Sequence, residues 1–146
     1  MSYTNIPGEE VEKRSLEIIE EEAGDHGFSE LEWPVVKRMI HASADFSIMK
    51  QLEFSGDPVK SGVAALRSGA PIVTDSNMMK AGISKFRLQK VNPLYREENI
   101  FCKISDEEVI ARAKTMYLPR SIFNMRILKH KIDGGVVGIG NAPSAL

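Results

Sequence analysis

Three short runs rich in β-branched residues, APIVT (Ala70 to Thr74), IFCKI (Ile100 to Ile104) and VVGI (Val136 to Ile139), alternate with longer stretches of helical periodicity. That alternation constrains the fold more than any other feature. Strands separated by helices pair in parallel, because a parallel neighbour needs a crossover long enough to hold a helix. The expected class is α/β: three layers, with a mostly parallel sheet and helices on both faces. In such sheets ligands bind beyond the carboxyl ends of the strands. The loop after Thr74 and the turn after Ile139 are therefore the first places to look.

The helices carry their own punctuation. Glu9 to Ala23 places Val11, Leu16, Ile18 and Ile19 among glutamates, and Gly24 can end that helix in a left-handed conformation. Ser29 and Glu32 have capping-box spacing for a second helix, whose start Pro34 can displace. Gln51 to Ser55 reads as a further short strand, and Asp57-Pro58 opens a helix that ends at Gly69. Ser76 to Ala81 gives a turn or two of helix. Ser105 and Glu108 repeat the capping-box spacing for a helix to about Tyr117, and Pro119 starts another that runs to about Lys131. Residues 82–99 read as a strand followed by an exposed basic loop. The whole is Rossmann-like, doubly wound, and is treated as one domain, 1–146.

Composition excludes several functions. A net charge of −1 provides no basic face for nucleic acid. No run approaches the length of a membrane span, and MSYTNIPGEEVEKRS lacks the apolar core of a signal peptide. The single Cys102 can form neither an internal disulfide nor a cysteine-based zinc cluster. The chain reads as cytoplasmic, without nucleic-acid or membrane partners.

No metal-spaced histidine cluster, nucleophile elbow or P-loop is present, so the candidates are single residues. The closing stretch GGVVGIGNAPSAL offers Gly138 and Gly140 as two glycines of a dinucleotide fingerprint, but Pro143 stands where the third is needed. What remains is either an anion site on the amides after Gly140 or an ordinary glycine turn. His41 ends a helix, where it serves either as a partner of the helix dipole or as a proton donor of near-neutral pKa. His26 and His130 read as surface residues. Asp75 follows APIVT at the strand's carboxyl end; it either caps the next helix or faces a ligand. Arg120-Ser121 opens a helix, where the guanidinium either clamps a carboxylate or is solvated. Met78-Met79 reads as core filling.

Taken together, EKRSLEIIEEE, RMIHASAD, VKSGVAALRSGAPIVTDSNMMKAGI and VVGIGNAPSAL, in this order and approximate spacing, resemble the precorrin-8X methylmutase (precorrin isomerase) family of cobalamin biosynthesis. The resemblance covers about residues 10 to 146 and is weakest between Lys90 and Tyr117. It implies a cofactor-free, metal-free isomerase that moves a methyl group from C11 to C12 of precorrin-8X, or of its cobalt form, to give a corrin. His41 matches the family histidine and would hydrogen-bond or protonate the macrocycle at ring C. Arg14 and Ser15, Arg38, Asp75, Arg87, Arg120 and Ser121 would contact the substrate, with Gly140 and Asn141 cradling a carboxylate of the tetrapyrrole. The family forms homodimers, and the Arg87 segment would reach across one.

Two departures accompany the match. The family continues past the GNAP turn, so a C-terminally truncated member is expected, with part of its pocket and dimer surface missing. Thr74 and Met79 also stand where the family commonly has Cys and an aliphatic residue. A non-catalytic corrinoid-binding protein is the alternative expectation.

Overall fold

The computed structural model describes residues 7–140 and 142–146. They fall into two compact units, 1–60 and 61–146, within what the sequence reading treats as one domain.

The first unit is helical. Helix α1 (Gly8–Ala23) and helix α2 (Trp33–Ser43) pack their apolar faces together, burying Ile19, Trp33, Val36 and Ile40. The Ser29–Glu32 capping box forms: the Glu32 carboxylate accepts from the Ser29 amide and hydroxyl, and Ser29 Oγ accepts from the Glu32 amide. Pro34 then sits in the first turn of α2. Ala44 ends α2 in the left-handed region at φ 54°, donating its N–H to Ile40 O. A 3₁₀ turn, Phe46–Lys50, follows.

Two expectations are corrected here. Residues 51–55 form no strand; they are irregular, with Leu52 and Phe54 packed against the helical core. This run has no strand beside it to pair with, so burial alone dictates its path. His26 is half-buried, not a fully exposed surface residue: its ring stacks on Trp33 with centroids 3.7 Å apart, and its Nδ1 accepts from the Phe28 amide. The polar edge of Trp33 is held as well. Its indole N–H donates to Glu20, which also takes the Lys37 ammonium at 2.7 Å. Those bonds, Lys37 first, hold the Glu20 carboxyl below its ordinary pKa.

Helix α3 (Pro58–Ser68) leads into the second unit, where the sheet lies. Strands β1 (Ile72–Thr74), β2 (Ile100–Phe101) and β3 (Val136–Gly138) run parallel in the order β2-β1-β3. The register aligns Ile72 with Ile100 and Val136, and these three share one face with Leu66 of α3, Leu88 of helix α5 (Lys85–Val91) and Tyr95. Val73 and Phe101 point to the other face, against Met125 of helix α7 (Arg120–Ile127), Leu128 and Ile132 of helix α8 (Lys129–Ile132). Helices therefore cover both faces, as the α/β reading requires. The β1-to-β2 connection lies on one face and the β2-to-β3 connection on the other. That reversal is the doubly wound pattern, and it places the topological switch point between β1 and β3.

Local differences have local causes. The 82–99 segment contains α5, capped by Ser84 accepting from Arg87 N, instead of a strand. β2 stops at Phe101 because the Lys103 amide is diverted to Asn124 Oδ1 at 2.6 Å. The expected helix from Pro119 to Lys131 is broken at Leu128 into α7 and α8. Helix α6 (Glu107–Met116) takes Asp106 as its N-cap residue, while Ser105 accepts a hydrogen bond from Asn77 Nδ2.

Candidate functional site

In the first unit, α1 and α2 bring Ser15 and His41 to the wall of one cavity of about 260 Å³. Ile18, Ile19, Ile40, Ala44 and Phe46 make it apolar, and Glu22 adds a carboxylate. His41 reaches it from the last turn of α2 and is exposed, so its imidazole is open to a ligand. The Ser15 hydroxyl donates to Val11 O at 2.9 Å, which leaves its oxygen free to accept. An apolar hollow with one hydroxyl, one imidazole and one carboxylate suits the edge of a large, flat ligand bearing a few polar atoms. Arg14 lies exposed on α1, and Arg38 on α2 pairs with Glu12.

In the second unit, Asp75 and Gly140 meet at the switch point. Asp75 is 1% exposed, and Ser76, not Asp75, caps helix α4 (Asn77–Gly82) by accepting from Met79 N. That frees the Asp75 side chain to turn toward the end of β3, where its Oδ2 accepts the Gly140 N–H at 3.0 Å. The backbones join there too, Asp75 N donating to Gly138 O at 3.1 Å. Asp75 Oδ1 is buried and has no hydrogen-bond partner among the described residues. Asp75 lines a cavity of about 460 Å³ together with Ser76, Met78, Met79, Ile104, Gly140 and Ala142. Side chains here would crowd Met79: a Cβ on Gly138 would press on its Sδ, and one on Gly140 would make a tight 3.3 Å contact with its Cε.

The glycine turn expected to cradle a substrate carboxylate thus lies beside a carboxylate of the chain itself. The Gly140 amide donates to an internal carboxylate, that of Asp75. Asn141 lies outside the described residues. Of the remaining expected residues, Arg87 is exposed on α5 and Arg120 is exposed at the start of α7. Ser121 is buried, and its hydroxyl shares a 2.8 Å hydrogen bond with Ser144 in the closing 3₁₀ turn, Pro143–Ala145.

Sequence reasoning missed Asn124. It is fully buried, donating to Thr74 O at 3.0 Å and accepting from Lys103 N. It thereby clamps the carboxyl ends of β1 and β2. The signal was there as an amide set among the apolar residues of IFNM. Glu22 was likewise unmarked, one of several glutamates on α1.

Among the described residues, no group of three or more His, Cys, Asp or Glu side chains is placed to hold a metal ion, and no helix is long and apolar enough to cross a membrane.

The sequence profile of the precorrin-8X methylmutases matches residues 10–146. The chain belongs to the precorrin-8X methylmutase family. Within the family, it is 38% identical over 141 residues to the cobalt-precorrin-8 methylmutase of Priestia megaterium, covering 97% of this chain and 60% of that protein. The cobalt-precorrin-8 methylmutase of Leptospira interrogans is 38% identical over 145 residues, covering 98% and 63%. The crystal structure of a precorrin-8X methylmutase from Thermus thermophilus superposes with a TM-score of 0.81 at 39% identity, over 94% of this chain and 65% of that one. The chain thus spans about three fifths of the length of these methylmutases.

Proposed function

We propose that this chain acts on the tetrapyrrole precorrin-8X or its cobalt form as an isomerase, moving a methyl group from C11 to C12 to give the corrin. The observation that carries the reading is His41, exposed at the wall of an apolar cavity it shares with Ser15, in a member of the methylmutase family. His41 is the group that donates a hydrogen bond or a proton to the macrocycle, favouring the arrangement from which the methyl migrates. The rearrangement has no net redox change, so one positioned acid and a binding surface suffice. Such an acid is worth roughly two to four orders of magnitude in rate. Arg14, exposed on α1 of the same unit as His41, supports the reading as a cation for a carboxylate on the substrate rim.

The reading extends to a homodimer working in the cytoplasm. Phe86 and Leu94, near Arg87 in sequence, support the dimer as large apolar side chains that are 67% and 77% exposed. The test of function is anaerobic incubation of the purified chain with precorrin-8X while the visible spectrum is followed. Conversion to the corrin chromophore is expected; a spectrum that shows binding without conversion would favour a non-catalytic corrinoid-binding protein.

A further inference from the structure

We propose that Asp75 is a specificity-determining residue, whose Oδ1 accepts a hydrogen bond from an N–H or protonated O–H of the ligand and turns ionised carboxylates away from the β1–β3 crevice. The inference rests on the tetrapyrrole reading and concerns the crevice of the second unit alone, to which it adds a polarity.

Three observations carry it. First, the carboxyl is 1% exposed, with its two oxygens in different situations: Oδ2 takes the Gly140 amide at 3.0 Å, and Oδ1 has no partner among the described residues. A buried acceptor left unpaired is costly and calls for a reason. Second, Asp75 lines the 460 Å³ cavity at the switch point, where doubly wound sheets bind their ligands. Third, none of the described residues lining that cavity carries a positive charge. A substrate carboxylate entering there would meet a carboxylate with no cation between them, whereas a donor would complete the missing bond.

Met79 supplies the means of access. It lines the same cavity and crowds Gly138 and Gly140, and its unbranched thioether is the adaptable side chain that yields when a ligand reaches Oδ1. The rim carboxylates of the tetrapyrrole are left to surfaces that carry arginine.

Asp75→Asn is the informative variant, since its amide oxygen can keep the Gly140 bond while its NH₂ replaces the free acceptor by a donor. Wild-type chain and variant are titrated with hydrogenobyrinic acid at neutral pH by visible absorbance, with circular dichroism and thermal melting as controls for folding. The expected result is affinity weaker by about tenfold or more in a folded Asp75→Asn chain. Equal affinity would overturn the inference and leave the tetrapyrrole reading standing; no binding to wild type would overturn both. A second measurement does not depend on the variant. The side-chain carboxyl ¹³C resonance of Asp75 in wild-type protein should shift on saturation with hydrogenobyrinic acid, and an unmoved resonance would overturn the inference.

Discussion

Asn124 Nδ2 donates to the carbonyl of Thr74 at 3.0 Å, joining helix α7 to the last residue of the central strand. Its Oδ1 accepts the Lys103 amide, just past the end of β2. Removing the side chain strands a buried carbonyl and a buried amide together. Asn124→Ala should therefore lower stability by about 2–4 kcal/mol, read from urea denaturation. Asn124→Asp should also destabilise, because it sets an oxygen against Thr74 O. A loss near zero for both would show that the clamp is dispensable.

Two glycines, Gly135 just before β3 and Gly138 at its end, should behave differently. A Cβ at Gly135 would press on the backbone oxygens of Lys131 and Pro71, which cannot move without disturbing α8 and the entry to β1. A Cβ at Gly138 would meet only the side chain of Met79, its sulfur first, and that chain is flexible. Gly135→Ala is expected to cost about 2 kcal/mol or more, and Gly138→Ala about 1 kcal/mol. Thermal melting of the two variants side by side checks the order.

The Glu20 carboxyl, held below its ordinary pKa by Lys37 and then Trp33, makes the first unit acid-sensitive. Its folded pKa lies below its unfolded one. The stabilisation is thus present above the usual carboxylate range and is lost as pH falls from there through the folded value. Between pH 6 and pH 3, the urea midpoint of the wild type should fall more steeply than that of Glu20→Gln. Parallel curves would mean that the Glu20–Lys37–Trp33 contacts contribute nothing through protonation.

His41 is exposed, so its loss should leave the fold intact. His41→Ala is expected to reduce conversion of precorrin-8X by about a hundredfold to ten-thousandfold while retaining much of the affinity for the corrin product. Turnover at the wild-type rate would remove His41 from the chemistry.

Sequence reading succeeded where local chemistry and tertiary structure agree. The parallel β/α alternation, the Ser29–Glu32 capping box and the turn after Thr74 all belong to this class. It failed where a distant partner decided the outcome. Gln51 to Ser55 has the residues of a strand but no neighbour to pair with, and β2 is cut short by an asparagine more than twenty residues away. At the site, Asp75 was legible by position, but its role depended on whether Asp75 or Ser76 capped α4, a choice that adjacent cap-forming residues leave open. The engagement of the Gly140 amide was invisible for the same reason, since the atom that holds it is 65 positions away.

The central position of β1 also has a temporal consequence. Its two neighbours, β2 and β3, both follow it in the chain, with Ile72 waiting first for Ile100 and then for Val136. Pairings between distant segments are slow to form. At a synthesis rate of about 5–20 residues per second, the apolar strand Ile72–Thr74 leaves the ribosome on the order of seconds before β3 exists. During that interval it is an unpaired, sticky segment. Translation speed and chaperone supply, as much as the final contacts, should therefore govern how much of this chain a cell recovers in folded form.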